Sequence, residues 1–347
     1  MPVTLGYDAL KGVLQMPDAI RLLEEMLSHE AAGRTLASPK FNTDFENGSM
    51  RILFAADYEA GYCATKAYHT IKGAGVRYLV TLYRLRDGEL LALLDGSQIT
   101  DLRTGAVSGV VARRVPVKEP VTVGIIGSGH QARTQLESLA AVYRIASAHV
   151  FSPTAANREA YASEMSAKLK IPIKVAESAE SAVRGRAIVV TASSSRQDDP
   201  VVRGAWLDKC RLLCAVGNTR SQFSELDLQC FTGAALIVAD TEHAFGEAGE
   251  FRRALEAGAL PAAKRATLAQ LVSGTVKVPG EGLIAFKSVG SALQDLALAG
   301  RYYELLKNSG VPTAPDLALG RQPANEKSRG TREHAAAGAR TSRLRTR

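Results

Sequence analysis

The chain has 347 residues, 46% of them apolar, which is too long for one ordinary domain and enough to build the cores of two. The formal net charge is +8, but Arg321 to Arg347 holds eight Lys/Arg against two Glu, so the remaining 320 residues carry +2 and lack the basic face of a nucleic-acid binder. No run of about 18 apolar residues is available to span a bilayer, Met1 to Lys11 lacks a secretory pattern, and Cys63, Cys210, Cys214 and Cys230 read as the reduced thiols of a cytoplasmic protein, with no metal site.

Met16 to Ser28 places Ile20, Leu23 and Leu27 on one helical face, with Pro17 in the first turn. After a Gly33-Arg34-Thr35 break come strand-like runs, Arg51 to Ala55 and Tyr62 to Tyr68. Tyr78 to Leu85 and Glu89 to Leu94 flank Asp87-Gly88, a hairpin turn. This region reads as a small β-rich unit with a leading helix. Thr100 is a good N-cap, and Asp101 to Arg114 reads as the helix it starts. Pro116 and Pro120 bracket a linker. Beyond it short apolar runs alternate with helical stretches: Val121–Ile126, His149–Phe151, Ile173–Val175, Ala187–Ala192, Leu212–Val216 and Ala235–Ala239. That alternation predicts βαβ units around a parallel sheet. Gly290 to Lys307 is a last apolar-periodic helix, and the basic end from Arg321 reads as a disordered, solvated tail.

Val121–Ile126 runs directly into Gly127-Ser128-Gly129-His130-Gln131-Ala132. This is G-x-G-x-x-A between a strand and a helix. Gly127 permits the tight turn, Gly129 lets a pyrophosphate reach the backbone, and Ala132 allows close helix–strand packing. The helix N-terminus then offers unpaired N–H groups to the anion. An NAD site usually has an acidic residue about 20 residues further on. Here Phe151 is followed by Ser152, Pro153, Thr154 and Arg158, with no carboxylate before Glu159. Ser152, Thr154 and Arg158 suit a 2′-phosphate, so NADP(H) is the expected cofactor and NAD(H) the alternative.

Several motifs occur in a fixed order: Arg103-Thr-Gly-Ala106, the glycine loop, Thr191-Ala-Ser193, Ala215-Val-Gly217 with Glu225-Leu-Asp227, Gly249-Glu250, and Phe286-Lys-Ser-Val-Gly290 with Asp295. Over roughly residues 8 to 312 the chain resembles the ornithine cyclodeaminase/mu-crystallin family, nearer its ketimine reductase branch. The resemblance implies an α/β fold in which a Rossmann dinucleotide-binding domain is inserted into a smaller α+β domain. The expected limits are 1–115 for the substrate and dimerisation domain, completed by 300–318, then 116–299 for the Rossmann domain and 321–347 for the tail. It also implies a homodimer and a small amino or imino acid as substrate.

Residue roles follow from the same resemblance. Lys66 contacts the substrate carboxylate, and Arg103 stands beside substrate and cofactor. Thr104 lies near the phosphates. Thr191, Val216 and Gly217 line the dinucleotide, and Ser288 and Val289 border nicotinamide and substrate. Charge supports this: a zwitterion's carboxylate needs fixed cations, and Arg103 is read in a first helical turn, where anions are favoured. Lys66 is also the candidate proton donor, with His69 a candidate assistant. Two departures matter. Where cyclodeaminases carry an aspartate, this chain has Thr219. Where the family has a Pro-Arg element, Ser38-Pro39-Lys40 puts Lys40 towards the carboxylate. Without the aspartate no base activates water for loss of ammonia. The expected activity is an imino-acid reductase or amino-acid dehydrogenase. The alternatives are a cyclodeaminase with bound NAD and a non-catalytic ligand-binding protein.

Overall fold

The computed structural model describes residues 2–195 and 199–310, and these form two sheets, of seven and eight strands. The tail expected at 321–347 lies outside the described residues. No described helix is long and apolar enough to cross a membrane.

The first sheet contains β1 (Val3–Leu5), β2 (Thr35–Ala37), β3 (Phe41–Phe45), β4 (Gly48–Asp57), β5 (Tyr62–Ile71), β6 (Gly75–Arg84) and β7 (Leu90–Asp95). Its order is β1-β7-β6-β5-β4-β2, with β3 also on β4; β1 and β7 are parallel and the other pairs antiparallel. Strand alternation decides what each face carries. Leu53, Ala55, Ala64, Val80 and Leu82 turn inward and are buried. They meet the helices Gly96–Ala112 and Ala292–Leu306, the second of which returns from the far end of the chain to pack on β4 and β5. The other face carries Phe41 (67% exposed), Phe45, Met50, Ile52 and Leu79, all exposed. His69 pairs with Met50 on this outer face, so it points away from Lys66 and does not assist it, contrary to its nearness in sequence.

The second sheet contains β8 (Val121–Ile126), β9 (Ile145–Phe151), β10 (Ile173–Val175), β11 (Ile188–Thr191), β12 (Leu212–Ala215), β13 (Ala234–Ala239), β14 (Arg265–Thr267) and β15 (Leu283–Lys287). It is parallel throughout, in the order β10-β9-β8-β11-β12-β15-β13-β14. From β8 the chain winds outward through β9 and β10, then returns to lay β11 on the other side of β8. A ligand crevice is expected beyond the carboxyl ends of strands at such a reversal. β15, buried between β12 and β13, was absent from the apolar runs. Its first four residues, Leu283 to Phe286, are as apolar as those runs, and only the closing Lys287 departs from them.

One helix start is corrected. The helix runs Gly96–Ala112, and Asp95 caps it, accepting from the Ser97 N–H at 2.8 Å. Thr100 is therefore in the helix body, its hydroxyl bonded back to the Gly96 carbonyl at 2.6 Å. Both residue types cap well, and Asp95 prevails because β7 ends there.

Candidate functional site

The glycine loop has the geometry an anion needs. Gly127 has φ +115°, and a Cβ there would lie 2.4 Å from the Ala192 carbonyl oxygen, so only glycine fits. Gly129 caps the helix His130–Ala140 and has open space on its Cβ side. Ala132 is fully buried, with Tyr161 donating to its carbonyl at 3.0 Å. Ser128 donates to the Ser152 hydroxyl at 2.9 Å, and Arg158 Nη1 donates to the Ser152 carbonyl at 2.7 Å. Ser152 and Arg158 thus come together beyond β9, with Thr154 exposed at the next helix start. Gln131 donates to Asp101 at 2.8 Å, tying the loop to the helix Gly96–Ala112. His130 is 82% exposed, its Nδ1 3.5 Å from Asp101. Thr191 ends β11; its hydroxyl is buried without a hydrogen-bond partner among the described residues.

Between the inner face of the first sheet and the carboxyl ends of the second lies a cleft of about 430 Å³. It brings together Lys40, Lys66, Arg103, Thr104, Gln131, Val216, Gly217, Ser288 and Val289 of the residues read from sequence. Lys66, 3% exposed, sits on the inward face of β5. Its Nζ lies 2.8 Å from Asp295 Oδ1 and 2.6 Å from Thr100 Oγ1, and 4.9 Å from the centre of the Tyr78 ring. Burial pushes this amine down to about 8, with Arg103 acting the same way and Asp295 opposing. Arg103 Nε lies 3.4 Å from the same Asp295 oxygen. Arg103 is the eighth residue of its helix, not in the first turn as read, so the helix N-terminus does not place an anion beside it.

The turn Ser288–Gly290 is held by Asp240, whose Oδ2 accepts from Ser288 Oγ at 2.9 Å and from the Gly290 N–H at 2.6 Å. Gly290 has φ +83°, and a Cβ there would lie 2.6 Å from Arg103 Nη1. Gly290→Ala is expected to cost about 1–3 kcal/mol of stability through backbone strain and this contact. Chemical denaturation reads it, and a variant as stable as the parent would mean the guanidinium does not rest on that glycine.

Lys40 reaches across from the first sheet, its Nζ 2.6 Å from both Glu247 Oε1 and the Val289 carbonyl. Its amine is lowered chiefly by burial, against the pull of Glu247. The charge of Lys40 is thus largely engaged by the protein. Beneath the cleft, Glu225 accepts from the N–H groups of Ser193, Gly217 and Asn218 at 2.9–3.0 Å. Lys287 lies 3.1 Å from Glu250 and 3.8 Å from Glu225. This buried trio shapes the loop that carries Val216 to Arg220, a task the motif residues did not disclose.

Reading the sequence missed Arg51, Tyr68, Tyr78, Asn218 and Arg220 as lining residues, and missed Asp295 as the partner of Lys66. Arg51 faces the cleft because it pairs with Tyr68 on the side of Lys66. Alternation within β5 and the β4–β5 turn together carry that signal, but only once the register is known.

A family model described as ornithine cyclodeaminase/mu-crystallin family matches residues 5–310. A Delta(1)-pyrroline-2-carboxylate reductase of Bacillus cereus is 32% identical over 321 residues, covering 89% of this chain and 98% of the relative. The solved Delta(1)-pyrroline-2-carboxylate reductase of Thermococcus litoralis, in complex with NADH and L-proline, is 29% identical with a TM-score of 0.84; the match covers 90% of this chain and 100% of that one. An archaeal alanine dehydrogenase dimer with bound NAD is 27% identical with a TM-score of 0.84, covering 91% and 99%.

Proposed function

This chain belongs to the ornithine cyclodeaminase/mu-crystallin family, and from that premise we propose that it is an NAD(P)H-dependent oxidoreductase acting on the C–N bond of a small amino or imino acid. Its activity is that of an imino-acid reductase or amino-acid dehydrogenase. The carrying observation is the buried amine of Lys66, opposite Arg103 and Asp295 in a cleft that opens towards the glycine loop.

The residues present fit a dinucleotide. Gly129 leaves room at a helix N-terminus for a pyrophosphate, and the unpartnered Thr191 hydroxyl stands at the reversal between β8 and β11. When bound, the dinucleotide supplies or accepts the hydride at the substrate carbon. Lys66 and Arg103 anchor the substrate carboxylate, with Lys40 and the Ser288–Val289 turn closing the cleft behind it. Lys66 Nζ holds the proton that the imine nitrogen takes, and Asp295 with Thr100 aims that amine. Thr104 faces the phosphates, Val216 and Gly217 line the dinucleotide, and Ser288 and Val289 border the nicotinamide. Thr219 lines the cleft where a base for water attack is needed, and the lining carboxylate, Asp295, is engaged by two cations. Reduction survives that arrangement, whereas loss of ammonia does not. Imine-dependent oxidation of NAD(P)H tests this reading; a protein that binds dinucleotide and oxidises none with any imine contradicts it.

For the cofactor, Ser152 and Arg158 at the end of β9, with no carboxylate before Glu159, support NADP(H) over NAD(H), with Ser128 and Thr154 completing a polar pocket. The ratio of kcat/KM for NADPH and NADH is expected to exceed ten, and Arg158→Ala to lower it. A tenfold preference for NADH, with Arg158→Ala silent, would mean the cluster reads no 2′-phosphate.

The exposed apolar outer face of β3, β4 and β6 supports a homodimer that buries it. The chain divides, in this reading, into a substrate and dimerisation unit (1–115, completed by 300–318) and a Rossmann unit (116–299). Four unpaired cysteines, three of them buried, fit the cytoplasm.

A further inference from the structure

The cleft holds more positive charge than one carboxylate uses. Its lining cations are Lys40, Arg51, Lys66, Arg103 and Arg220, and its lining carboxylate is Asp295. At the inner end Lys66 and Arg103 share Asp295, and Lys40 is engaged by Glu247. The α-carboxylate of the substrate therefore completes the inner end. Arg51 and Arg220 remain at the mouth.

Among the described residues no carboxylate pairs with either arginine. Arg51 Nε donates to the neutral amide oxygen of Asn42 at 2.8 Å, and its guanidinium lies 5.7 Å from the centre of the Tyr68 ring. These contacts orient it without cancelling its charge. The Arg220 guanidinium has no hydrogen-bond or ion-pair partner among the described residues. Both side chains also line the adjoining groove with Asp44, Glu46 and Glu247. Of these, Glu247 holds Lys40, and neither of the others pairs with either arginine among the described residues. On the loop between Gly217 and Thr219, the side-chain nitrogen Nδ2 of Asn218 is a buried donor without a partner among the described residues, and Asn218 lines the same cleft. A donor buried without an acceptor is costly unless a ligand completes it.

We propose that the substrate is a dicarboxylic amino or imino acid, whose side-chain carboxylate is held at the mouth of the cleft by Arg51 and Arg220. This rests on the reductase reading above and names its substrate class. The inner cations take the α-carboxylate, and the distal acid meets guanidinium groups suited to bidentate contact. The Asn218 side-chain amide and Thr219 hydroxyl offer further donors on the same loop. In the reductive direction the hydride adds to the imine carbon, and the C=N π pair takes a proton at nitrogen. The nicotinamide is oxidised as the imine becomes an amine, and both carboxylates pass through unchanged. A side chain ending in an ammonium group is excluded by the same two arginines.

The test uses carbon-matched pairs of 2-oxo acids with ammonium and NAD(P)H: oxaloacetate against 2-oxobutyrate, and 2-oxoglutarate against 2-oxovalerate. The expected result is kcat/KM at least about tenfold higher for the dicarboxylate of one pair. In Arg51→Met and Arg220→Met that ratio falls by about tenfold or more, and Arg220→Lys recovers part of it. A parent enzyme that prefers the monocarboxylate of both pairs, or a ratio unmoved by both substitutions, overturns the proposal. If no imine is reduced, the reductase reading has failed, and the subsite is read by binding alone. Calorimetric titration of succinate and butyrate into the NAD⁺-saturated protein then decides: succinate at least about tenfold tighter upholds the subsite, and equal or absent binding removes it.

Discussion

Replacing Lys66 by methionine is expected to lower kcat/KM at least about a thousandfold while dinucleotide affinity stays within a few fold of the parent. The substitution keeps most of the side-chain volume and removes both the proton and the charge. Proton transfer by a positioned group is worth about a hundred- to ten-thousandfold, and the lost carboxylate contact adds to it. Lys66 stands on β5 of the first sheet and the glycine loop follows β8 of the second, so the loss is expected on the substrate side. The pH profile separates a chemical role from a structural one. Burial lowers the Lys66 amine to about 8, and its protonated form is the one that holds the carboxylate and gives the proton. Imine reduction therefore persists below about pH 8 and falls as pH rises through that value. That limb should vanish from the residual activity of Lys66→Met. An unchanged limb in the variant would assign the titration to another group, and near-normal turnover would remove Lys66 from the mechanism.

Gly129→Asp is expected to weaken NADPH and NADH binding by at least about a hundredfold in a folded protein. A Cβ at Gly129 meets nothing within 4 Å, and its φ of −80° is open to any residue, so the fold tolerates a side chain. What the carboxylate meets is the pyrophosphate, at the helix terminus whose N–H groups are meant for an anion. Gly127→Ala is the contrasting case. There the new methyl would press on the Ala192 carbonyl in a left-handed backbone, so stability and binding fall together. Fluorescence titration with melting curves distinguishes the two. Gly129→Asp with parental affinity would remove the dinucleotide from this loop.

The fold was legible where local chemistry and long-range structure agree. Val121–Ile126 followed by Gly127 to Ala132 could be read because strand, turn and helix each leave their own mark within twelve residues. The hairpin at Asp87-Gly88 could be read for the same reason. What failed to show was contact across distance. Lys66 and Asp295 are 229 positions apart, and nothing near either names the other. Arg51 looked like one more polar residue of a strand until the register with Tyr68 turned it towards the cleft. His69 erred in the opposite direction: three residues from Lys66 on a strand is the other face. Asp95 and Thr100 are both good capping residue types, so the helix start is settled only by where β7 ends.

Net hydride transfer to a C=N bond consumes one reduced cofactor for each amine, so counting cofactor against amine separates reduction from loss of ammonia. The protein is incubated with NADPH or NADH and a panel of imines, cyclic ones and those formed from 2-oxo acids and ammonium, and separately with L-ornithine and a catalytic amount of NAD⁺. The expected result is one reduced cofactor consumed for each amine formed, and neither proline nor ammonia from ornithine, because Thr219 offers no base to activate water for the loss of ammonia. Proline and ammonia in equal amounts, with no net change in cofactor and at a rate matching any reduction, would contradict it.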